Sequence, residues 1–294
     1  MKKAVWLILS LLLCAALPAR AEPMKVVASF SILGDMVSRI GGDNIALTTL
    51  VAPGGDGHVY QPAPSDVQTV SQARLVLVNG LGFEGWMGRL MQSSASRATL
   101  VVASNGVKAA KMEDDGKTIT DPHAWQDLSN GRLYVANIAK ALAAADPLHA
   151  ADYRTRAEAY DAELAALDGW VKEQLGQVPA AKRKIITTHD AFGYFGRAYG
   201  VAFLAPVGIS TEAEPKASSM AKLISQIRRE KIKALFIENL SNPKLMQVIS
   251  KETKAPLGGA LFSDSLSPPD GPAASYTAMF QHNVPAMVEA MKRN

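Results

Sequence analysis

Apolar residues along the chain fall into short unbroken runs separated by stretches of helical period. Lys25–Phe30, Ile45–Val51, Leu75–Val78 and Thr99–Val102 read as strands, and runs without polar interruption are those of strands buried on both faces. Between them the spacing predicts a helix over Ile32–Gly41, ended by Gly41-Gly42, and a short helix over Pro64–Ala73, while Pro53-Gly54-Gly55 stops the second strand. After Pro179 the same rhythm returns. Strands are expected at Lys184–Thr188, Val201–Leu204, Ala234–Ile237 and Leu257–Phe262, with helices over Met220–Glu230, Pro243–Thr253 and Ala273–Lys292. Strands alternating with helices at this interval imply mostly parallel sheets covered by helices.

The middle of the chain breaks the rhythm. Asp146 followed by Pro147 is a favoured helix start. From there Tyr153, Ala157, Tyr160, Leu164, Leu167, Val171 and Leu175 recur every three or four residues as one apolar stripe. A helix from Asp146 to Gly176 would be about 45 Å long at 1.5 Å per residue. The expected fold is therefore α/β, with two lobes of mostly parallel sheet bridged by one long rigid helix: 22–145, 146–178 as the link, and 179–294. No repeat is visible at the level of residues.

Residues 1–21 differ from the rest. Lys2 and Lys3 precede the apolar run Ala4–Leu13, and Ala19-Arg20-Ala21 offers small residues at cleavage positions, the layout of a signal peptide. The run is shorter than the roughly 20 residues that cross a bilayer. The only cysteine, Cys14, lies within residues 1–21 and follows Leu13 instead of the small residue expected before a lipid-modified cysteine. Cleavage after Ala21 would leave no thiol, so disulfides and thiolate ligands are excluded from the mature chain. The formal charge of +4 includes Lys2, Lys3 and Arg20; subtracting these three leaves +1. No dense basic tract remains in the sequence, and nucleic acid is not an expected partner.

Candidate chemistry collects where strands end. In open α/β sheets, ligands bind beyond the carboxyl ends of the strands. His58 lies in the loop Pro53–Pro62, His123 in Asp121–Asp127 just before a helix, His189 directly after Thr188, and Asp264 just after Phe262. Three imidazoles and a carboxylate can complete a tetrahedral zinc shell, with two ligands from each lobe. Asp56, Asp127, Asp190 and Glu238 are candidates to orient the imidazoles. A lone loop histidine is commonly solvated or structural, and His149 and His282, both on predicted helices, take that reading.

Over nearly its whole mature length the chain resembles the cluster A-I solute-binding proteins of metal-importing ABC transporters, the zinc- and manganese-binding family. The similar segments are Pro53–Pro62, Asp121–Asp127, Thr188–Phe195, Glu212-Ala213-Glu214-Pro215 and Asp264-Ser265-Leu266. The resemblance implies two α/β lobes, a bridging helix and a metal between them, and it carries the family's four metal positions onto His58, His123, His189 and Asp264. Gly57 stands where the family often has proline, Gln61 where it often has glutamate, and Leu128 where it often has proline. Residues 105–120 lack the histidine-rich loop of many zinc-specific members, and Glu113-Asp114-Asp115 reads as a solvated acidic loop.

Manganese-binding relatives usually carry glutamate where this chain has His189. Imidazole suits zinc, and zinc outranks manganese at such sites, so Zn2+ is the expected ion, with Mn2+ the alternative. The resemblance implies a monomeric periplasmic protein that captures the ion and passes it to a membrane permease and its ATPase, with a periplasmic metallochaperone as a candidate loader. The rival readings are a zinc hydrolase, an adhesin and a receptor for an organic solute. Four protein ligands leave no open position for catalytic water, and no His-Glu-x-x-His helix is present, which argues against the first.

Overall fold

The computed structural model describes residues 22–114, 117–209 and 216–294; the leader and the Glu212–Pro215 segment lie outside these. Ten strands and nine α-helices occur among the described residues. The first half runs β1 (Met24–Phe30), α1 (Ser31–Gly41), β2 (Ile45–Val51), α2 (Pro64–Gln72), β3 (Leu75–Val78), α3 (Met87–Ser93), β4 (Thr99–Val102), β5 (Lys111–Asp114), β6 (Lys117–Thr120) and α4 (Leu128–Ala145). Then come α5 (Ala150–Gly176), β7 (Lys184–Ile186), α6 (Gly193–Tyr199), β8 (Ala202–Leu204), α7 (Ala217–Glu230), β9 (Leu235–Glu238), α8 (Lys244–Thr253), β10 (Leu257–Leu261) and α9 (Tyr276–Met291).

Two four-stranded parallel sheets form, in the orders β2-β1-β3-β4 and β10-β9-β7-β8. Numbered from its own first strand, each sheet has the order 2-1-3-4. The two halves thus share a topology that the residues do not advertise. In each, the strand order reverses beside the first strand, and the carboxyl ends on either side of that reversal open a crevice. The unbroken run Leu75–Val78 is wholly buried at the centre of the first sheet, as its pattern predicts.

The helix α5 buries Tyr153, Ala157, Tyr160, Leu164, Leu167, Val171 and Leu175, the stripe read from the sequence. Its start differs in detail. Pro147–His149 is a separate 3-10 turn and the α-helix begins at Ala150. The Asp146 carboxylate instead accepts from His149 Nδ1 and Tyr153 Oη, each at 2.7 Å, which gives His149 its structural role. His282, on α9, approaches the Ala260 carbonyl at 3.1 Å.

The stripe of α5 faces α4, α1 and α9, so one apolar core runs from Val26 in β1 to Met291 in α9. A smaller cluster, including Ile186, Ile227, Leu235 and Met246, lies under α7 and α8. Three elements escaped the sequence reading, α3, α6 and the antiparallel hairpin β5–β6, while α4 was expected only as a helix after Asp127 with no extent given. The hairpin corrects the loop expectation for Glu113 and Asp114, since Glu113, exposed as expected, pairs across it and accepts from Thr118 Oγ1 at 2.6 Å, while Asp115 lies outside the described residues.

Leu164 is fully buried at the middle of the α5 stripe, so Leu164→Ala removes side-chain contacts in the shared core. It is expected to destabilise the protein by about 2–5 kcal/mol, read as a lowered urea midpoint at unchanged slope.

Candidate metal centre

Each of the four candidate side chains leaves the end of an element at the crevice between the sheets. His58 sits in the loop after β2, whose shape is set from both sides. The Asp56 carboxylate accepts the His58 amide at 2.9 Å, and Trp86 Nε1 donates to the Gly57 carbonyl at 2.8 Å. A Cβ at Gly57 would stand 2.6 Å from the Phe83 ring, and that ring packs edge-on to His58 with centroids 4.6 Å apart. The glycine therefore lets Phe83 support the imidazole. At Gly54, with φ +80°, the amide donates to Ser265 Oγ at 2.8 Å, tying this loop to the residue after Asp264.

His123 follows the hairpin and precedes a 3-10 turn, Ala124–Gln126. Asp121 Oδ1 accepts both its amide, at 3.0 Å, and its Nδ1, at 2.9 Å. That fixes the tautomer and aims Nε2 at the centre. Asn79, at the end of β3, donates to the Pro122 carbonyl at 2.9 Å and so holds the segment at the first sheet's reversal point. From the other half, Arg197 on α6 reaches Asp121 Oδ2 at 3.2 Å and lies over the Tyr194 ring, while Tyr194 Oη accepts the Ala110 amide at 2.9 Å.

His189 follows β7, and its partner ends β9, on the other side of the second sheet's reversal point. Glu238 Oε1 accepts the amides of Thr188 and His189 at 2.9 and 3.0 Å, and Oε2 lies 2.6 Å from His189 Nδ1 as a close contact out of hydrogen-bond alignment. Asp264 follows β10. Its backbone is pinned on one side by Asn283, which bonds both the amide and the carbonyl of Phe262, and on the other by Trp125 and Gln126, which both donate to the Ser263 carbonyl.

The four side chains meet. One ligand atom from each of His58, His123, His189 and Asp264 lies within 4.8 Å of all the others. His58 Nε2 is 3.3 Å from His123 Nε2 and 3.6 Å from Asp264 Oδ2; His123 Nε2 is 3.6 Å from Asp264 Oδ1, and His189 Nε2 is 2.9 Å from Asp264 Oδ2. A tetrahedral ion with bonds of about 2.0–2.2 Å needs ligand-to-ligand edges of about 3.3–3.6 Å, so most of these separations already fit. His123, His189 and Asp264 are buried, and His58 alone is partly exposed, which makes it the side of entry.

Electrostatics points the same way. Burial pulls the His189 imidazole down, but the carboxylates of Glu238 and Asp264 outweigh it and hold its pKa well above the ordinary histidine value. Burial pushes Asp264 up, yet His189, His123 and His58 outweigh it and hold the carboxyl well below its ordinary range. Both oxygens of Asp264 and both ring nitrogens of His189 are buried without an aligned hydrogen-bond partner. Buried lone pairs in that state are costly unless a cation takes them.

Of the sequence candidates for orienting the imidazoles, Glu238 lies against His189 and Asp56 holds the His58 amide. Asp127 instead caps α4, accepting the Ser129 amide at 2.9 Å. Asp190 follows His189, and its pKa is raised chiefly by burial. Sequence reasoning missed Asp121 and Arg197. For Asp121 the signal was present, because an Asp two residues before a histidine can accept its amide in a local turn.

The profile of the family described as ZnuA, zinc-uptake complex component A, periplasmic, matches residues 26–290. The chain is 33% identical over 299 residues to the manganese ABC transporter substrate-binding lipoprotein PsaA of Streptococcus pneumoniae, covering 98% of this chain and 96% of that protein. It is 34% identical over 266 residues to the iron-binding protein YfeA of Yersinia pestis, covering 90% and 85%. Among solved structures, the manganese-bound periplasmic metal-binding protein of Candidatus Liberibacter asiaticus superposes with a TM-score of 0.84 at 31% identity, covering 92% of this chain and all of that one. The chain, matched along almost all its described length, belongs to the ZnuA family, and its relatives are named as substrate-binding components of metal ABC transporters.

Proposed function

We propose that this protein captures one divalent transition-metal ion, zinc before manganese, between His58, His123, His189 and Asp264 and delivers it to an ABC importer. The observation that carries the reading is the buried meeting of three imidazole nitrogens and one carboxylate contributed by both halves of the chain. The halves 22–145 and 179–294 then act as the two metal-binding lobes, with 146–178 as the link. Capture, not turnover, is the role, since the relatives are named as substrate-binding components of transporters. Their names support a location outside the cytoplasm and work alongside a membrane permease and its ATPase. Cleavage of residues 1–21, a monomeric state and loading by a metallochaperone remain parts of the proposal.

The choice of zinc rests on donor chemistry. Three nitrogens and one oxygen suit zinc, while manganese favours oxygen-rich shells and lies lower in intrinsic affinity. Manganese is the second reading because relatives named for it are a third identical to this chain. Both Asp264 oxygens face the centre, one toward His123 and one toward His58 and His189, so a five-coordinate shell is also within reach of this site.

Elemental analysis and competitive titration decide the ion: the wild type is expected to hold zinc against an equal concentration of manganese, and His189→Glu to narrow that preference by at least about tenfold. Equal affinity for both ions in the wild type would defeat the zinc assignment, and binding of neither would defeat the site. The pH dependence has a definite sign. His189 must lose its proton to bind, and its anionic neighbours keep that proton on at higher pH than usual. Affinity should therefore fall on acidification, beginning above the ordinary histidine value of about 6.5, with proton release on binding at neutral pH measured by calorimetry in different buffers. Affinity constant from about pH 8 to about pH 5 would contradict the imidazole ligands. Arg197→Met, which frees Asp121 Oδ2, is expected to weaken binding by roughly 10–100-fold through faster dissociation, with partial recovery in Arg197→Lys.

A further inference from the structure

The second sheet has an end that the metal site does not use. All its strands run toward the site, so their first residues lie at the opposite edge, about 10–15 Å away at 3.3 Å per residue. The return helices α7 and α8 run back to that same edge and stop there at Lys231 and Lys254, both left-handed. The end of the chain is fastened to it as well. Asn294 Oδ1 accepts the amides of Lys233 and Ala234, its Nδ2 donates to the carbonyls of Lys182 and Lys184, and Lys182 Nζ donates to the Lys292 carbonyl.

This edge is strongly basic. Residues 182–184, 228–233, 251–254 and 292–293 together hold eleven lysines and arginines against two glutamates, Glu230 and Glu252. Those eleven cations compare with a formal +1 for the whole chain after the leader, namely +4 less three, so the remainder of the molecule is net acidic. The acids present do not neutralise the edge. Glu230 pairs with Lys184 and Arg229, Glu252 with Arg228 and Glu289 with Lys292, whereas Lys231, Lys251, Lys254 and Arg293 make no ion pair among the described residues and are exposed. The corresponding edge of the first sheet is mixed: Lys25 and Arg74 share a hollow of about 400 Å3 with Glu22 and Asp146. The basic concentration is thus a property of one end of one half.

We infer that this edge, at the far end of the second sheet from the metal site, is a docking surface for anionic phospholipid. The chemistry favours a lipid surface because the cations are spread over three strand starts, two helix ends and the end of the last helix instead of converging on one point. Lysine and arginine at that density attract anionic headgroups within a Debye length, about 8–10 Å at moderate salt. The inference rests on charge placement and stands apart from the identity of the captured ion.

The test is co-sedimentation of the chain from Glu22 onward with vesicles of phosphatidylcholine alone and of phosphatidylcholine with phosphatidylglycerol. Binding is expected only to the anionic vesicles and should fall steeply as salt rises. Lys231→Glu with Lys254→Glu should lower the partition coefficient at least about tenfold, while Lys108→Glu with Lys140→Glu, which changes the total charge equally at exposed sites elsewhere, leaves it within about twofold. Retained metal titration in both pairs shows that they are folded. Absence of sedimentation at low salt, equal binding to both vesicle types, or equal loss in the two pairs would overturn the inference.

Discussion

Everything at the centre of this molecule is arranged around one buried carboxylate. Asp264 has no aligned hydrogen-bond donor, yet it is held ionised because three imidazoles converge on it. Burying such a charge is expensive, and the expense is met only while the surrounding nitrogens can share a positive charge with it, whether on a proton or a metal ion. The rest of the architecture serves that requirement. Asp121 sets the His123 ring, Glu238 holds the His189 backbone amide and lies against its ring, and Phe83 backs His58. Trp125 and Gln126 fix the strand end that delivers the carboxylate.

The two halves solve the same problem with the same topology. In the first, Asn79 at the end of β3 steadies the segment bearing His123; in the second, Glu238 at the end of β9 steadies His189. Each support is on the far side of a strand reversal from the first strand of its sheet, where backbone ends part and leave room for side chains. Contacts then cross between halves beside the site, through Gly54 to Ser265, Arg197 to Asp121, and Trp125 to Ser263.

Much of this was legible in the residues. The α5 stripe was complete because seven apolar positions at helical spacing leave little other choice, and the strand-end positions of the three histidines and Asp264 brought them to one place. The overlooked elements share a physical cause. A helix was expected after Asp127 but not its extent: in α4, Asn130 and Gly131 are poor helix formers, yet Asp127 caps the start and Leu128, Tyr134, Ile138 and Leu142 bury one face, so packing overrides propensity. Helix α6 is only seven residues long and carries Gly193 and Gly196; its glycines are packing requirements, since a Cβ at Gly193 would lie 2.7 Å from Asp121 Oδ2. Arg197 was invisible for the same reason: its partner is 76 residues away in the chain, and no local pattern encodes it.

The larger apolar core, shared by both halves, has a further consequence. Because Tyr276 of α9 bonds Asp35 and the Trp125 carbonyl while α5 packs against helices of both halves, swinging the halves apart as rigid bodies would tear side chains out of a close-packed interior. The Pro53–Pro62 loop, bonded to Ser265 and Trp86, carries the one ligand that is partly exposed, His58. Whatever takes an ion from such a cage would have to approach past His58, the one ligand not wholly enclosed.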